Sequence, residues 1–337
     1  MIATELTEMF GLRHPIILAP MGGVSGGHLA ATVSNAGGLG LVGGGYCDPA
    51  WLKVELSRVN AATRRPWGVG LITWSANQSV LELVLSFRPH AVMLSFGDPR
   101  PFVSRIKSAG CKLICQVQGL EEVRLAQEAE ADIIVAQGTE AGGHGGGRAT
   151  LPLVPAMVDA VAPIPVVAAG GIADGRGLAA SLMLGAHGAL IGTRFYASAE
   201  ALGHELAKQK IVAARSGETT RTRVFDIVRG YPWPPIYSGR ALRNHFLECW
   251  DGREGDLTKA LISERAGYQA AARDGDFNTA VVWAGEAVDL ITKVESAAAL
   301  VARISAEAEA QLGVGAKLAR QPPLPAMLSD NGPTGPL

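Results

Sequence analysis

Eight apolar runs of strand length, each bounded by glycine or proline, recur along the first 195 residues at intervals of about 25 residues, and no other feature constrains the fold as strongly. They fall at 15–21, 39–44, 67–73, 91–97, 111–117, 132–138, 165–171 and 188–194. Helical patterns lie between them, at 28–35, 49–59, 77–87, 99–109, 120–129, 151–161 and 175–184. The runs are nearly continuously apolar rather than alternating, as strands of a parallel sheet covered by helices are. Eight βα units fit a closed (β/α)8 TIM barrel, and a doubly wound open sheet is the alternative. That alternative needs a dinucleotide fingerprint, and Gly38-Leu39-Gly40-Leu41-Val42-Gly43 matches its spacing formally. Its context is reversed: it follows a helix and becomes a strand, whereas the fingerprint follows a strand and opens a helix. No P-loop and no H-E-x-x-H occurs.

The last βαβ unit, 165–195, carries the clearest chemical signal. Its first strand ends in Ala169-Gly170-Gly171, Asp174 stands at an N-cap position, an Ala/Leu/Met-rich helix runs until Gly185, and the second strand ends in Gly192-Thr193. Glycines at strand ends let a ligand approach bare backbone N–H groups, and a following helix N-terminus adds the positive end of its dipole. A phosphate is the natural guest. One glycine pair is explained equally well by a tight strand-to-helix turn. Two such ends, on the seventh and eighth strands where α/β barrels commonly hold a phosphate, favour a ligand site.

Beyond Phe195 the strand rhythm stops. A helix is expected over about 199–215, followed by an Arg-, Trp- and Tyr-richer segment, 216–278, read as a mainly helical insertion over the barrel mouth. An Ala-rich amphipathic stretch, 279–312, is expected to complete the outer ring as one or two helices, leaving residues 1–215 as the barrel. The tail 313–337, rich in proline and glycine, is expected to be extended and partly mobile. With 337 residues, 48% hydrophobic, 42 glycines and a net charge of -1, the chain is large enough for such a barrel and carries no signature of a nucleic-acid or anionic-membrane partner. The first residues lack the basic start and apolar core of a signal peptide, so a cytoplasmic location is expected. Cys47, Cys111, Cys115 and Cys249 are read as reduced thiols with no metal role, since Cys111 and Cys115 lack a second pair.

Two further strand ends draw attention. The first strand ends in Ala19-Pro20-Met21-Gly22-Gly23, and the sixth runs into QGTEAGGHGGG at 137–147. Ordering the glycines of that second loop costs about 0.5–1 kcal/mol each relative to alanine, so a loop of this kind usually wraps a ligand. A lone histidine on a loop is most often solvated. His144 lies at the C-terminal rim, one strand before the expected phosphate site, where a group of ordinary pKa near 6.5 beside a flat cofactor suits proton abstraction. Gln116, ending the fifth strand, is placed to donate to a ring carbonyl; an ordinary polar strand end is the plainer reading. Ser95 and Asp98 are weaker candidates, Trp74 and Trp233 are candidate walls of an apolar substrate pocket, and His14, His28, His90, His187, His204 and His245 are read as structural or surface residues.

LAPMGGVSGGHLAATVSNAGGLGLVGGG, AQGTEAGGHGGG and AAGGIADGRGLAASLMLGAHGALIGTRF, with GEAVDLI later, resemble the nitronate monooxygenase family, formerly the 2-nitropropane dioxygenases. They are also similar to the flavin-dependent enoyl-acyl-carrier-protein reductases and NAD(P)H:quinone reductases of the same fold. The resemblance implies FMN, its phosphate at Gly170, Gly171, Gly192 and Thr193 and its ring against Ala19, Pro20, Met21, Gly22 and Gln116, with Gly70, Ala141, Gly142, Gly143 and Ala169 at the same cofactor. It implies His144 as catalytic base and no metal. It also implies oxidation of alkyl nitronates by O2 to carbonyl compounds and nitrite, with NAD(P)H-dependent reduction of a quinone or enoyl thioester as the alternative. A homodimer is an assembly open to such a chain. One departure matters: where the family's third strand commonly reads GVN, this chain has Gly68-Val69-Gly70, and Thr73, Ser75 or Asn77 is expected to replace the missing side chain.

Overall fold

The computed structural model describes residues 2–318. Eight of its strands form one parallel sheet: β1 (Ile16–Leu18), β2 (Gly40–Gly43), β3 (Trp67–Ile72), β4 (Ala91–Ser95), β5 (Lys112–Val117), β6 (Ile133–Gln137), β8 (Val166–Ala169) and β9 (Ala189–Ile191), with β7 (Gly143–Gly145) outside it. The strands are ordered β1-β9-β8-β6-β5-β4-β3-β2, and a parallel bridge between Ile17 and Leu39 closes the ring. All eight match the runs read from the sequence, and the fold is the expected (β/α)8 barrel.

Alternation along the strands sorts the core into two layers. Ile17, Leu41, Met93, Ile114, Ile133, Val135, Val167 and Leu190 fill the barrel, while Ile16, Leu18, Val69, Leu71, Val92, Leu94, Ile134 and Ile191 pack outward against the helices. Each such residue, fully buried, contributes about 1.5–3 kcal/mol relative to exposure. The N-terminal helix Glu5–Phe10 closes the bottom with Leu6 and Phe10, and its start is fixed by reciprocal bonds between Thr4 and Thr7. Packing also explains the Gly-x-Gly-x-x-Gly run. A Cβ on Gly40 would lie 1.9 Å from the Ala30 carbonyl oxygen, and one on Gly43 2.4 Å from the Met21 backbone. The spacing serves close approach of β2 to its neighbours.

Four expectations need correction beyond β9. The region 216–278 is mainly helical, with helices Val224–Arg229, His245–Trp250, Glu254–Lys259 and Leu261–Asp274, but it also contributes β10 (Thr219–Thr222) and β11 (Ser238–Leu242). These pair antiparallel in the order β10-β11-β7, so the glycine-rich loop is the third strand of a small sheet. TTRT and SGRAL are short and polar, and their partner is a run of glycines, so no apolar alternation marks them. The helix expected over 199–215 is confined to Glu205–Ala213. Residues 279 and 280 close a turn on Asp276 and 281–284 run alongside β11, with Leu242 N–H donating to Val282 O and Ala241 bridging Trp283, because Val281-Val282-Trp283 suits a pleated edge better than a helix. A 3-10 turn, Glu286–Leu290, precedes the helix Ala297–Leu318, which fills the outer ring between Gly27–Ala36 and Gly175–Met183. Residues 313–318 belong to that helix, contrary to the expected extended tail, and the rest of 313–337 lies outside the described residues.

Candidate active site

The C-terminal ends of the barrel strands form a floor. At Gly192 an added Cβ would lie 3.5 Å from Ala19 Cβ and 3.7 Å from Met21 Sδ, so the ends of β1 and β9 meet. Gly170 and Gly171 take φ of +106° and +72°, conformations glycine adopts without strain. A Cβ on Gly171 would meet only the Glu140 side chain, at 3.3 Å, and one on Gly143 nothing within 4 Å. The backbone is open at Gly171 and Gly143, whereas a Cβ on Gly170 would lie 2.9 Å from Thr150 Oγ1 and 3.0 Å from Gly138 O, so Gly170 also serves close packing. The helix dipole expected to assist is differently used: the first-turn N–H groups of Gly175–Met183 donate to Glu307 (Gly175) and Asp174 (Arg176 and Gly177). Thr193 Oγ1 accepts from Gly285 N–H at 2.9 Å and keeps its own hydrogen to donate. Gly142 is a packing glycine, its Cβ position 2.7 Å from Gly285 N, with Ala141 held beside it by a bond from its N–H to Gly138 O.

Gly70 faces Pro20. A Cβ there would lie 2.2 Å from Pro20 Cγ, so the proline ring occupies the space a side chain at 70 would need. Among the three residues considered as replacements, Asn77 caps the helix Gln78–Ser86 and Ser75 Oγ donates to Cys47 Sγ; Thr73 Oγ1 alone is buried without a partner. Gln116 is buried and its Nε2 donates to Gln137 Oε1 at 2.9 Å, an amide pair beneath the glycine loop. Ala169 lines the barrel interior at the end of β8.

Over this floor stands His144, and it is not a loose loop residue. It pairs with Gly239 across β7 and β11, and the loop is tied down by Arg221, which donates to the carbonyls of Thr139 and Gly145, and Arg240, which donates to Thr139. Its Nε2 lies 2.9 Å from both carboxylate oxygens of buried Asp226. This contact fixes the tautomer with the proton on Nε2, and Nδ1 has no hydrogen-bond partner among the described residues. Burial lowers the His144 pKa, Asp226 opposes that, and the Arg229 and Arg221 charges add to it. The ring is a neutral proton acceptor near pH 7, with Nδ1 as the accepting atom.

Aromatic residues enclose the imidazole. Trp233 stacks on it with centroids 3.5 Å apart and planes 4° from parallel, Trp283 lies at 5.1 Å and Phe96 at 6.5 Å. Trp233 Nε1 donates to Tyr46 Oη, Trp74 packs edge-on to Trp233 at 5.3 Å, and Tyr46 stacks on Tyr231 at 3.5 Å. Phe96 takes φ +65°, a conformation costly for a bulky side chain and typical of functional sites. Trp74 and Trp233, the two candidate pocket walls, are brought into contact with each other. Asp98 accepts from the backbone and side chain of Arg100, His14 pairs with Ser305, His204 caps Glu205–Ala213 and His245 meets Cys249 at the surface. Asp226, Tyr46, Phe96 and Trp283 went unread in the sequence. No motif marks them; for Asp226 the only available signal was an acidic residue inside VFDIVRGYPW, a segment with three aromatic residues and an arginine. Among the described residues no cluster of His, Cys, Asp or Glu is placed to hold a metal, and no helix is long and apolar enough to cross a membrane.

Comparison with known proteins gives a consistent set of relatives. The nitronate monooxygenase family profile matches residues 3–79 and 72–307. A probable nitronate monooxygenase of Staphylococcus haemolyticus is 30% identical over 86% of this chain and 92% of its own length, and one of Staphylococcus aureus strain Newman is 31% identical with the same coverage. FabK from Thermotoga maritima superposes with a TM-score of 0.84 at 30% identity, covering 94% of this chain and 100% of its own. Nitroalkane oxidase from Streptomyces ansochromogenes does so with a TM-score of 0.81 at 29% identity, covering 92% and 99%.

Proposed function

This chain belongs to the nitronate monooxygenase family, and we propose from that premise that it uses FMN and O2 to oxidise alkyl nitronates, and nitroalkanes after deprotonation, to carbonyl compounds and nitrite. The observation that carries the reading is the buried His144–Asp226 pair, held at 2.9 Å on the short strand β7 that follows β6. Gly170, Gly171, Gly192 and Thr193 would hold the phosphate, and Ala19, Met21, Gln116 and the unpartnered Thr73 hydroxyl would border the ring. FMN, when bound, supplies a two-electron acceptor that O2 restores.

The chain's own part is proton handling. A neutral nitroalkane must lose its α C–H proton; His144 Nδ1 takes it, while Asp226 holds the ring through Nε2–H and stabilises the imidazolium that results. A preformed nitronate needs no base, so His144 takes no proton from it and its loss should matter less there. Tyr46, Trp74, Phe96 and Trp233 exclude water from that step, strengthening each electrostatic contact.

The likeness to FabK supports a second reading, NAD(P)H-dependent reduction of a quinone or enoyl thioester. Anaerobic mixing of the holoprotein with an alkyl nitronate, with NADH and with NADPH separates the two. Bleaching of the flavin by nitronate and not by the nicotinamides is expected; rapid bleaching by NAD(P)H with none by nitronate assigns the chain to the reductases. Heat denaturation should release FMN, and release of FAD would overturn the cofactor assignment.

A further inference from the structure

Three buried or half-buried arginines of this half of the molecule are engaged by acceptors within the protein, although Arg194 Nε is itself unpartnered. Arg194 donates to the carbonyls of Ala197 and Lys293, Arg221 to those of Thr139, Gly145 and Ser238, and Arg240 to Thr139 and Glu286. Arg229 has no such partner: among the described residues its guanidinium meets no hydrogen-bond acceptor and no carboxylate, although it is partly buried and its Nη1 is shut off from solvent. Its nearest acid on the same helix, Asp226, is turned to His144 instead. Three aromatic rings lie about it, with its Cζ 4.7 Å from the Tyr231 centroid, 5.6 Å from Tyr46 and 6.0 Å from Trp283. Rings attract a cation from their faces but leave its in-plane N–H groups unanswered, and a desolvated charge without a hydrogen-bond partner is costly unless a ligand supplies one.

We propose that Arg229 is the specificity-determining residue of this mouth, binding the two oxygens of a planar substrate anion, and so selecting nitronates over neutral nitroalkanes. The chemistry is that of a fork matched to a fork: a guanidinium presents parallel N–H donors at the spacing of nitronate or carboxylate oxygens. Placement agrees, because Trp283 touches both partners, 5.1 Å from the His144 centroid and 6.0 Å from Arg229 Cζ, so one indole spans the anion-binding and proton-handling groups. The proposal rests on the reading of this mouth as a nitronate site for its substrate, but not for its anion binding.

The test uses nitrate, a planar anion that carries the same nitrogen-oxygen head and cannot be oxidised. Thermal unfolding of the holoprotein is measured in nitrate and in chloride at matched ionic strength, for wild type, Arg229→Gln and Arg229→Lys. A nitrate-specific rise in Tm is expected in wild type, absent in Arg229→Gln and partly restored in Arg229→Lys; the chloride Tm of each variant shows that it is folded. In turnover, KM for a nitronate should rise about 10- to 100-fold in Arg229→Gln, the worth of hydrogen bonds to a charged group, with a smaller rise for the neutral nitroalkane. A nitrate effect that survives Arg229→Gln, or no nitrate effect in wild type, overturns the proposal. A nitrate effect lost with Arg229 in a protein that does not turn over nitronate upholds the anion site and overturns the substrate reading alone.

Discussion

The glycine ends of β8 and β9 and the segment 224–237 border the same mouth, yet they are built from different materials. The floor works with main chain: Gly170 and Gly171 at positive φ, and Gly192 open toward Ala19 and Met21. The wall works with side chains brought together from far apart, His144 and Asp226 being 82 positions distant in the chain and Trp233 and Tyr46 187. A cofactor phosphate asks little more than exposed backbone, which a short glycine pattern writes directly. Proton transfer asks for a particular nitrogen in a particular protonation state, which only tertiary packing supplies.

If the wall carries the chemistry and the floor the cofactor, each should fail in its own way. His144→Ala should keep its flavin yet lose about 10²- to 10⁴-fold in kcat/KM on a neutral nitroalkane, with a smaller loss on preformed nitronate. Flavin content and steady-state kinetics on both substrates check this, and undiminished turnover of the nitroalkane by the flavin-replete variant would end the base assignment.

Asp226→Asn should cost less, about 10- to 100-fold on the same substrate, because the base remains and only its tautomer and its partner charge are lost. It also predicts a direction in pH. Burial already lowers the His144 pKa below the 6.5 of a free imidazole, so kcat/KM should fall on the acid side with a midpoint under 6.5. Asp226 raises that pKa, so its removal should move the acid limb to still lower pH. A merely structural carboxylate would lower the plateau and leave the midpoint in place. The same lowering acts on stability: as pH falls below 6.5 the unfolded chain takes up the proton before the folded one does, so this group destabilises the fold there and is neutral above.

Legibility followed the same division. The barrel was written in period and punctuation, because eight buried parallel strands each need a continuous apolar run and a breaker at both ends. His144 stood out through the glycines around it. Asp226 did not, since an Asp on a six-residue helix, Val224–Arg229, has the same local sequence whether it faces solvent or an imidazole. β10 and β11 were hidden because a sheet that covers a mouth, instead of filling a core, needs no alternating apolar side chains. Sequence pattern records what is buried against many neighbours, and it is nearly silent on a contact made once.

Gly171→Leu probes the floor. Left-handed backbone costs a non-glycine residue about 1–2 kcal/mol, so cofactor affinity should fall at least about 5- to 30-fold, and more where the side chain fills the phosphate space. Protein purified without added FMN should be largely colourless, and reconstitution at high FMN should restore activity if the wall is intact. A variant that binds FMN as tightly as wild type would show that the phosphate sits elsewhere.

The smallest effect on chemistry is expected at Gly70, where a second kind of floor glycine can be told from the first. Unlike Gly171 it shows no positive φ, so alanine brings no conformational strain; it brings a Cβ whose place is 2.2 Å from Pro20 Cγ. Overpacking of this kind typically costs about 1–3 kcal/mol, paid in stability because the barrel must shift β1 against β3 to admit the methyl group. Gly70→Ala should therefore lower Tm by a few degrees while leaving flavin content near that of wild type, and Gly70→Asn, which restores the side chain common in the family, should lower it further. The comparison is sharp because the three heavy atoms nearest that Cβ position all belong to the Pro20 ring. If Gly70→Asn is as stable as wild type, the proline ring gives way freely and the glycine is not required by packing. If stability falls and Gly70→Ala with Pro20→Ala recovers it, the missing side chain at 70 is the consequence of where β1 places its proline, and the Thr73 hydroxyl is left as the polar group on this side of the mouth.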